Sequence, residues 1–194
     1  TEDVIADLKE DSASSVEHKL KTLHHGQKKW HAVPLKERVA IIQKFATILK
    51  ENIDSLAKTL TSEVGKPLQQ SANEVNGACS RIAWLTGNAE KYLADEWMTR
   101  EDGIGEKIVY EPLGVVCNIS AWNYPYLVGV NVFVPALLAG NAVLYKPSEH
   151  SSLTGLEIEK ALKKAGVPDD VFQVAIGGGE VGRALLELPF DGYF

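Results

Sequence analysis

Three stretches of this sequence carry residues suited to chemistry: "SAWNYP" at 120–125, "KPSEH" at 146–150 and "GGGEVG" at 177–182. In the first, Asn123 offers a carboxamide N–H, the donor an oxyanion needs when a nucleophile attacks a carbonyl. Trp122 and Tyr124 read equally well as core aromatics and Pro125 as a helix-start residue, but a carboxamide there is harder to explain as packing. In the second, Glu149 follows Lys146 by three residues. Such a carboxylate accepts from both hydroxyls of a ribose while the ammonium donates to a ribose oxygen. Taken alone, the pair is equally an exposed ion pair at a strand end. In the third, Gly178, Gly179 and Gly182 let backbone approach a ligand at a helix start, with an ordinary flexible loop as the competing reading.

The elements that must position these loops give them weight. Before residue 104 the sequence reads as helix: a polar segment over 12–31, then Pro34 opening an apolar stripe of Val39, Ile42, Phe45, Ile48 and Leu49. Asn52 is expected to cap a further helix bearing Ile53, Leu56, Ala57 and Leu60 and ending at Gly65 and Pro67. A long helix is predicted over 67–97, with Val75, Cys79, Ile82 and Leu85 or Thr86 inward. After Gly103 the period changes to that of strands, one exposed to about residue 111 and one buried over 114–119. Helices over 126–139, 153–165 and 180–188 then alternate with strands at "AVLYKP", "FQVAI" and "DGYF", the pattern of a parallel, doubly wound sheet. In such a sheet ligands bind beyond the carboxyl ends of the strands, where all three loops fall. A carboxylate at Glu149 would repel a 2′-phosphate, favouring NAD over NADP.

Composition narrows the partners. The chain has 194 residues, 45% of them hydrophobic, and a formal charge of -6. That charge argues against nucleic acid or an anionic membrane as a partner and leaves small molecules. The chain reads as soluble and cytoplasmic, without an apolar run long enough to span a bilayer. Cys79 and Cys117 are too few for a disulfide framework, and the five histidines (His18, His24, His25, His31 and His150) lack partners at metal-binding spacing, so no metal is expected.

With these residues in view, the chain resembles the amino-terminal part of an NAD(P)-dependent aldehyde dehydrogenase. The resemblance rests on "SEVGKP" at 62–67, "EPLGVV" at 111–116, "WNYP" at 122–125, "PALLAGNAVLYKPSE" at 135–149, "AGVPDDVFQV" at 165–174 and the glycine loop. It implies that Asn123 supports a thiohemiacetal oxyanion and that Lys146 and Glu149 bind the adenosine ribose. Ile119, Ser120 and Trp122 would line the cofactor groove, with Pro147 after the ribose lysine and Gly178, Gly179 and Gly182 beside the cofactor. Tyr124, Leu127, Val128 and Asn131 would form one wall of a substrate tunnel. It also implies a helical region over 1–103, an intersubunit-arm strand over 104–113, and an incomplete Rossmann-like NAD-binding domain over 114–194. The parent would form a homodimer or homotetramer.

Ala121 stands where many members have proline. The family's nucleophilic cysteine and activating glutamate match nothing here, and Cys79 and Cys117 sit on apolar stretches unsuited to a thiolate. The chain, starting at Thr1 and stopping inside an expected strand, is read as a piece of an enzyme that oxidises aldehydes to carboxylic acids. Alone it is expected to be inactive. The resemblance admits NADP as well as NAD. A non-catalytic dinucleotide-binding or interaction module and part of a CoA-acylating aldehyde dehydrogenase are the competing readings.

Overall fold

The computed structural model describes residues 3–101 and 103–194. Helix α1 (Ala13–Ala32) opens on a capping box, in which Ser12 Oγ accepts from Ser15 N and Ser15 Oγ accepts from Ser12 N. Its sequence looks polar, yet Val16, Leu20, Leu23 and Trp30 form a buried stripe. Helices α2 (Leu35–Glu51), α3 (Ile53–Val64) and α4 (Leu68–Leu93) follow, with Pro34 and Pro67 immediately before the first and third. Asn52 does not cap α3 as expected. Its Nδ2 donates to Ile48 O at 2.7 Å, closing the end of α2, and α3 has no side-chain cap.

The long helix also ends earlier than predicted. Strand β1 (Glu96–Glu101) turns back antiparallel on β2 (Ile104–Ile108), so the exposed strand expected after Gly103 is the second half of a hairpin that starts at Glu96. All but one of the strand residues are exposed, and β1 continues directly from the end of α4, so no buried face marks where helix gives way to strand.

From there the alternation follows the sequence closely: β3 (Val115–Ile119), α5 (Pro125–Leu138), β4 (Ala142–Lys146), a 3-10 turn (Glu149–Ser151), α6 (Ser152–Ala165), β5 (Phe172–Val174), α7 (Gly179–Leu186) and β6 (Gly192–Tyr193). All four strands of this sheet are parallel, in the order β5-β4-β3-β6. The fold is therefore α/β, with helices on both faces of a doubly wound sheet. On one face Val143, Tyr145, Phe172 and Val174 pack with α2 to α6. On the other, Val115, Cys117, Ala142 and Leu144 pack with α1 and α7. Alternate residues of β4 feed opposite cores, as a strand buried on both sides requires.

Candidate functional site

The chain builds β3, β4 and β5 outward in order, then returns to lay β6 against the free side of β3. That reversal sets the switch point of the sheet between β3 and β6, beside the loop that follows β3. Register aligns the ends, with Ile119 opposite Lys146 and Tyr145 opposite Val174. The three loops meet there. The rings of Trp122 and His150 lie edge to face with centroids 6.5 Å apart. A Cβ built on Gly182 would be 3.8 Å from Lys146 Cε. Glu149 and Gly177 share the lining of one cavity of about 360 Å³.

Asn123 is exposed at the mouth of the loop. Its Oδ1 accepts from Tyr124 N at 3.1 Å, fixing the carboxamide, and among the described residues nothing accepts from its Nδ2. The loop below is clamped by two residues the sequence reading gave no role. Lys66 Nζ donates to Asn123 O at 2.6 Å, lies 3.9 Å over the Tyr124 ring and pairs with Glu74, whose side chain is 0% exposed. The other Glu74 oxygen accepts from Tyr126 N at 2.9 Å. That amide is in the first turn of α5, where no carbonyl of the helix itself can serve it. A carboxylate of α4 thus caps α5, and a lysine neutralises it. One sequence signal existed: Glu74 falls on the buried stripe of Ser71, Val75, Ala78 and Ile82, where a charge requires a partner.

Lys146 and Glu149 are not an exposed pair. The Lys146 side chain is 5% exposed, donates to Pro147 O at 3.2 Å and lies 3.9 Å from the half-exposed Glu149 carboxylate. Burial pushes the ammonium pKa down, against the attraction of Glu149 and Glu10. A hydrogen bond from its own backbone, with the Lys146 charge assisting, holds the Glu149 carboxyl below the usual range against slight desolvation. Pro147 is buried against α6, where a Cβ on Gly155 would come within 2.5 Å of its ring. Ile119 and Trp122 are partly exposed at the end of β3, and Ser120 between them is buried.

Within the glycine loop the conformational demand falls on Gly177, which had not been singled out. Its φ is 151°, and a Cβ there would lie 2.3 Å from Val181. Gly178 and Gly179 face open space, with nothing within 4 Å of an added Cβ. Tyr124, Leu127, Val128 and Asn131 share one face of α5 at the spacing i, i+3, i+4, i+7, none of them fully buried. Asn131 also borders an apolar cavity of about 340 Å³ with Leu113, Val116, Pro135 and Phe194.

Neither cysteine is placed as a nucleophile. Cys117 is fully buried and its thiol is pushed up to about 12 by burial, while half-buried Cys79, raised by the same cause, points its thiol at Ala46 O, 3.6 Å away. Among the described residues no group of three or more histidine, cysteine or carboxylate side chains gathers around a metal position, and no helix is long and apolar enough to cross a membrane.

The donor set fits a nucleotide: a buried ammonium beside an exposed carboxylate, and open space before a helix start. The family model described as "Aldehyde dehydrogenase family" matches residues 1–189. The chain belongs to the aldehyde dehydrogenase family. An aldehyde dehydrogenase from Brucella melitensis biovar abortus 2308 superposes with a TM-score of 0.89 at 29% identity, over 94% of this chain and 38% of that one. A 3,6-anhydro-L-galactose dehydrogenase in complex with NADP gives 0.88 at 30% identity, over 95% and 39%. PnpE in complex with nicotinamide adenine dinucleotide gives 0.90 at 27%, over 95% and 38%. The chain therefore spans well under half the length of these three proteins.

Proposed function

We propose that this chain is the cofactor-binding part of an aldehyde dehydrogenase that oxidises an aldehyde to a carboxylic acid with NAD or NADP, and that it also supplies an oxyanion donor. The observation carrying this reading is the approach of the three loops at the carboxyl ends of the strands, with Trp122 against His150 and Gly182 beside Lys146. Lys146 would donate to a ribose oxygen and Glu149 accept from the ribose hydroxyls. Ile119, Ser120 and Trp122 would line the groove, Pro147 would set the Lys146 backbone, and Gly178, Gly179 and Gly182 would leave room for the nucleotide. The bound dinucleotide supplies a hydride acceptor.

Asn123 would donate from Nδ2 to the oxygen that gains charge as a thiolate adds to the aldehyde, a donor worth roughly 10²–10³ in rate at comparable sites. Its carboxamide is already oriented by Tyr124 N, so little reorganisation is needed. Tyr124, Leu127, Val128 and Asn131 would form an uncharged wall for the substrate. The thiolate and the base that activates water would come from residues outside this chain, since Cys117 and Cys79 are unsuited to the first role. Residues 104–113 would belong to an arm contacting another subunit of a dimer or tetramer.

Calorimetric titration with 5′-AMP and NAD tests the reading. Saturable binding is expected, weakened about tenfold by Lys146→Met and several-fold by Glu149→Gln. The 194 residues alone should turn over no aldehyde. Absence of nucleotide binding, or binding indifferent to both substitutions, would remove the basis of the reading.

A further inference from the structure

The segment before α1 is drawn across the same edge of the sheet. Asp11 N donates to Ile176 O at 2.7 Å and Ile176 N returns a bond to Asp11 Oδ2 at 2.8 Å, fixing the chain beside the end of β5. Lys19 Nζ ties the arrangement down, 2.7 Å from both Asp11 Oδ2 and Val174 O. The preceding residues Ile5, Leu8 and Glu10 then line the cavity of about 360 Å³ whose other wall carries Glu149, His150 and Gly177. Glu10 Cβ lies 3.6 Å from where a Cβ on Gly177 would be, at the mouth of the glycine loop.

The cavity is consequently acidic. Glu10 and Glu149 are both exposed carboxylates, and Lys146 senses the two charges together. A third carboxylate, Glu63, is already occupied: its oxygens accept from Leu153 N, Thr154 N and Thr154 Oγ at the start of α6. A ribose with a free 2′-hydroxyl meets acceptors here, whereas a 2′-phosphate brings close to two further negative charges into a space already lined by Glu10, Glu63 and Glu149.

We propose that Glu10, delivered by the segment ahead of α1, acts with Glu149 as a specificity residue that restricts the cavity to an adenosine whose 2′-hydroxyl is free. The proposal rests on the cofactor reading above and adds a residue to it. Glu10 acts through its charge and its position on a pinned backbone, and the discrimination it gives weakens as salt screens the cavity.

The test compares 5′-AMP with adenosine 2′,5′-bisphosphate by calorimetry on the whole chain. The unchanged chain should prefer 5′-AMP by about tenfold or more. Glu10→Gln should narrow that ratio by about threefold to tenfold while leaving 5′-AMP affinity within about twofold, and Glu10→Arg should narrow it further. High salt should shrink the difference between the chain and its Glu10→Gln variant. An unchanged ratio in both variants, with 5′-AMP still bound, overturns the role of Glu10 and leaves the cofactor reading standing. Failure of the unchanged chain to bind either nucleotide overturns the cofactor reading and this inference with it.

Discussion

Lys66 and Glu74 are the side chains on which the Asn123 loop rests. The pair is almost fully buried, at 11% and 0% exposure, so removing one partner strands a charge in the core. Lys66→Met should cost about 3 kcal/mol in denaturant unfolding, and adding Glu74→Gln should recover much of that loss because no unpaired charge remains. Equal destabilisation by the single and double variants would show that the charge is not what matters. The glycine loop yields a second contrast. Gly177→Ala must fit a methyl group against Val181 at an unfavourable φ and should destabilise by roughly 1–3 kcal/mol, whereas Gly178→Ala meets nothing and should be close to neutral in stability. The sequence exposed the cluster of glycines but not this division of labour, since both φ and the approach of Val181 are properties of the folded turn.

At the scale of elements, the segment ahead of α1 and the β1–β2 hairpin behave in opposite ways. Asp11 pins the segment. Burial alone would raise its carboxyl, but hydrogen bonds from Lys19, Ser15 and Ile176 N outweigh that and hold it below its ordinary value of 3.8. A carboxyl depressed in the folded state contributes stability that is complete above the unfolded pKa and is lost as pH falls through the folded one. Acid titration of thermal stability should therefore be shallower for Asp11→Asn than for the unchanged chain below about pH 4, with the variant less stable at pH 7. Parallel curves would rule out this source of acid sensitivity. The hairpin instead lies open, with Met98 and Ile104 66% and 67% exposed. Exposed apolar side chains on an open two-stranded element favour association. Sedimentation velocity should show mass rising with concentration, and Ile104→Glu with Met98→Lys should suppress it. A monomer at high concentration in the unchanged chain would contradict this expectation.

For the molecule as a whole, the sheet unites the chain, taking α1 and α7 on one face and α2 to α6 on the other. The order of helices and strands after residue 113, the parallel sheet and the positions of the three loops were legible in the sequence. Periodicity, turn glycines and helix-start prolines are local, and they specify each element without reference to the rest. The sequence also singled out Asn123, as a residue hard to explain by packing, and Lys146 with Glu149, as a pair at a strand end. It did not display the burial of Lys146, the cap that Glu74 places on α5, the strand at Glu96–Glu101, or the arrival of Glu10 beside Glu149. Each of these depends on which distant elements come to lie together, or, for the hairpin, on strands left almost wholly exposed. A side chain's charge, partner and exposure are set by neighbours far away in the chain, and only the packed molecule brings those neighbours into place.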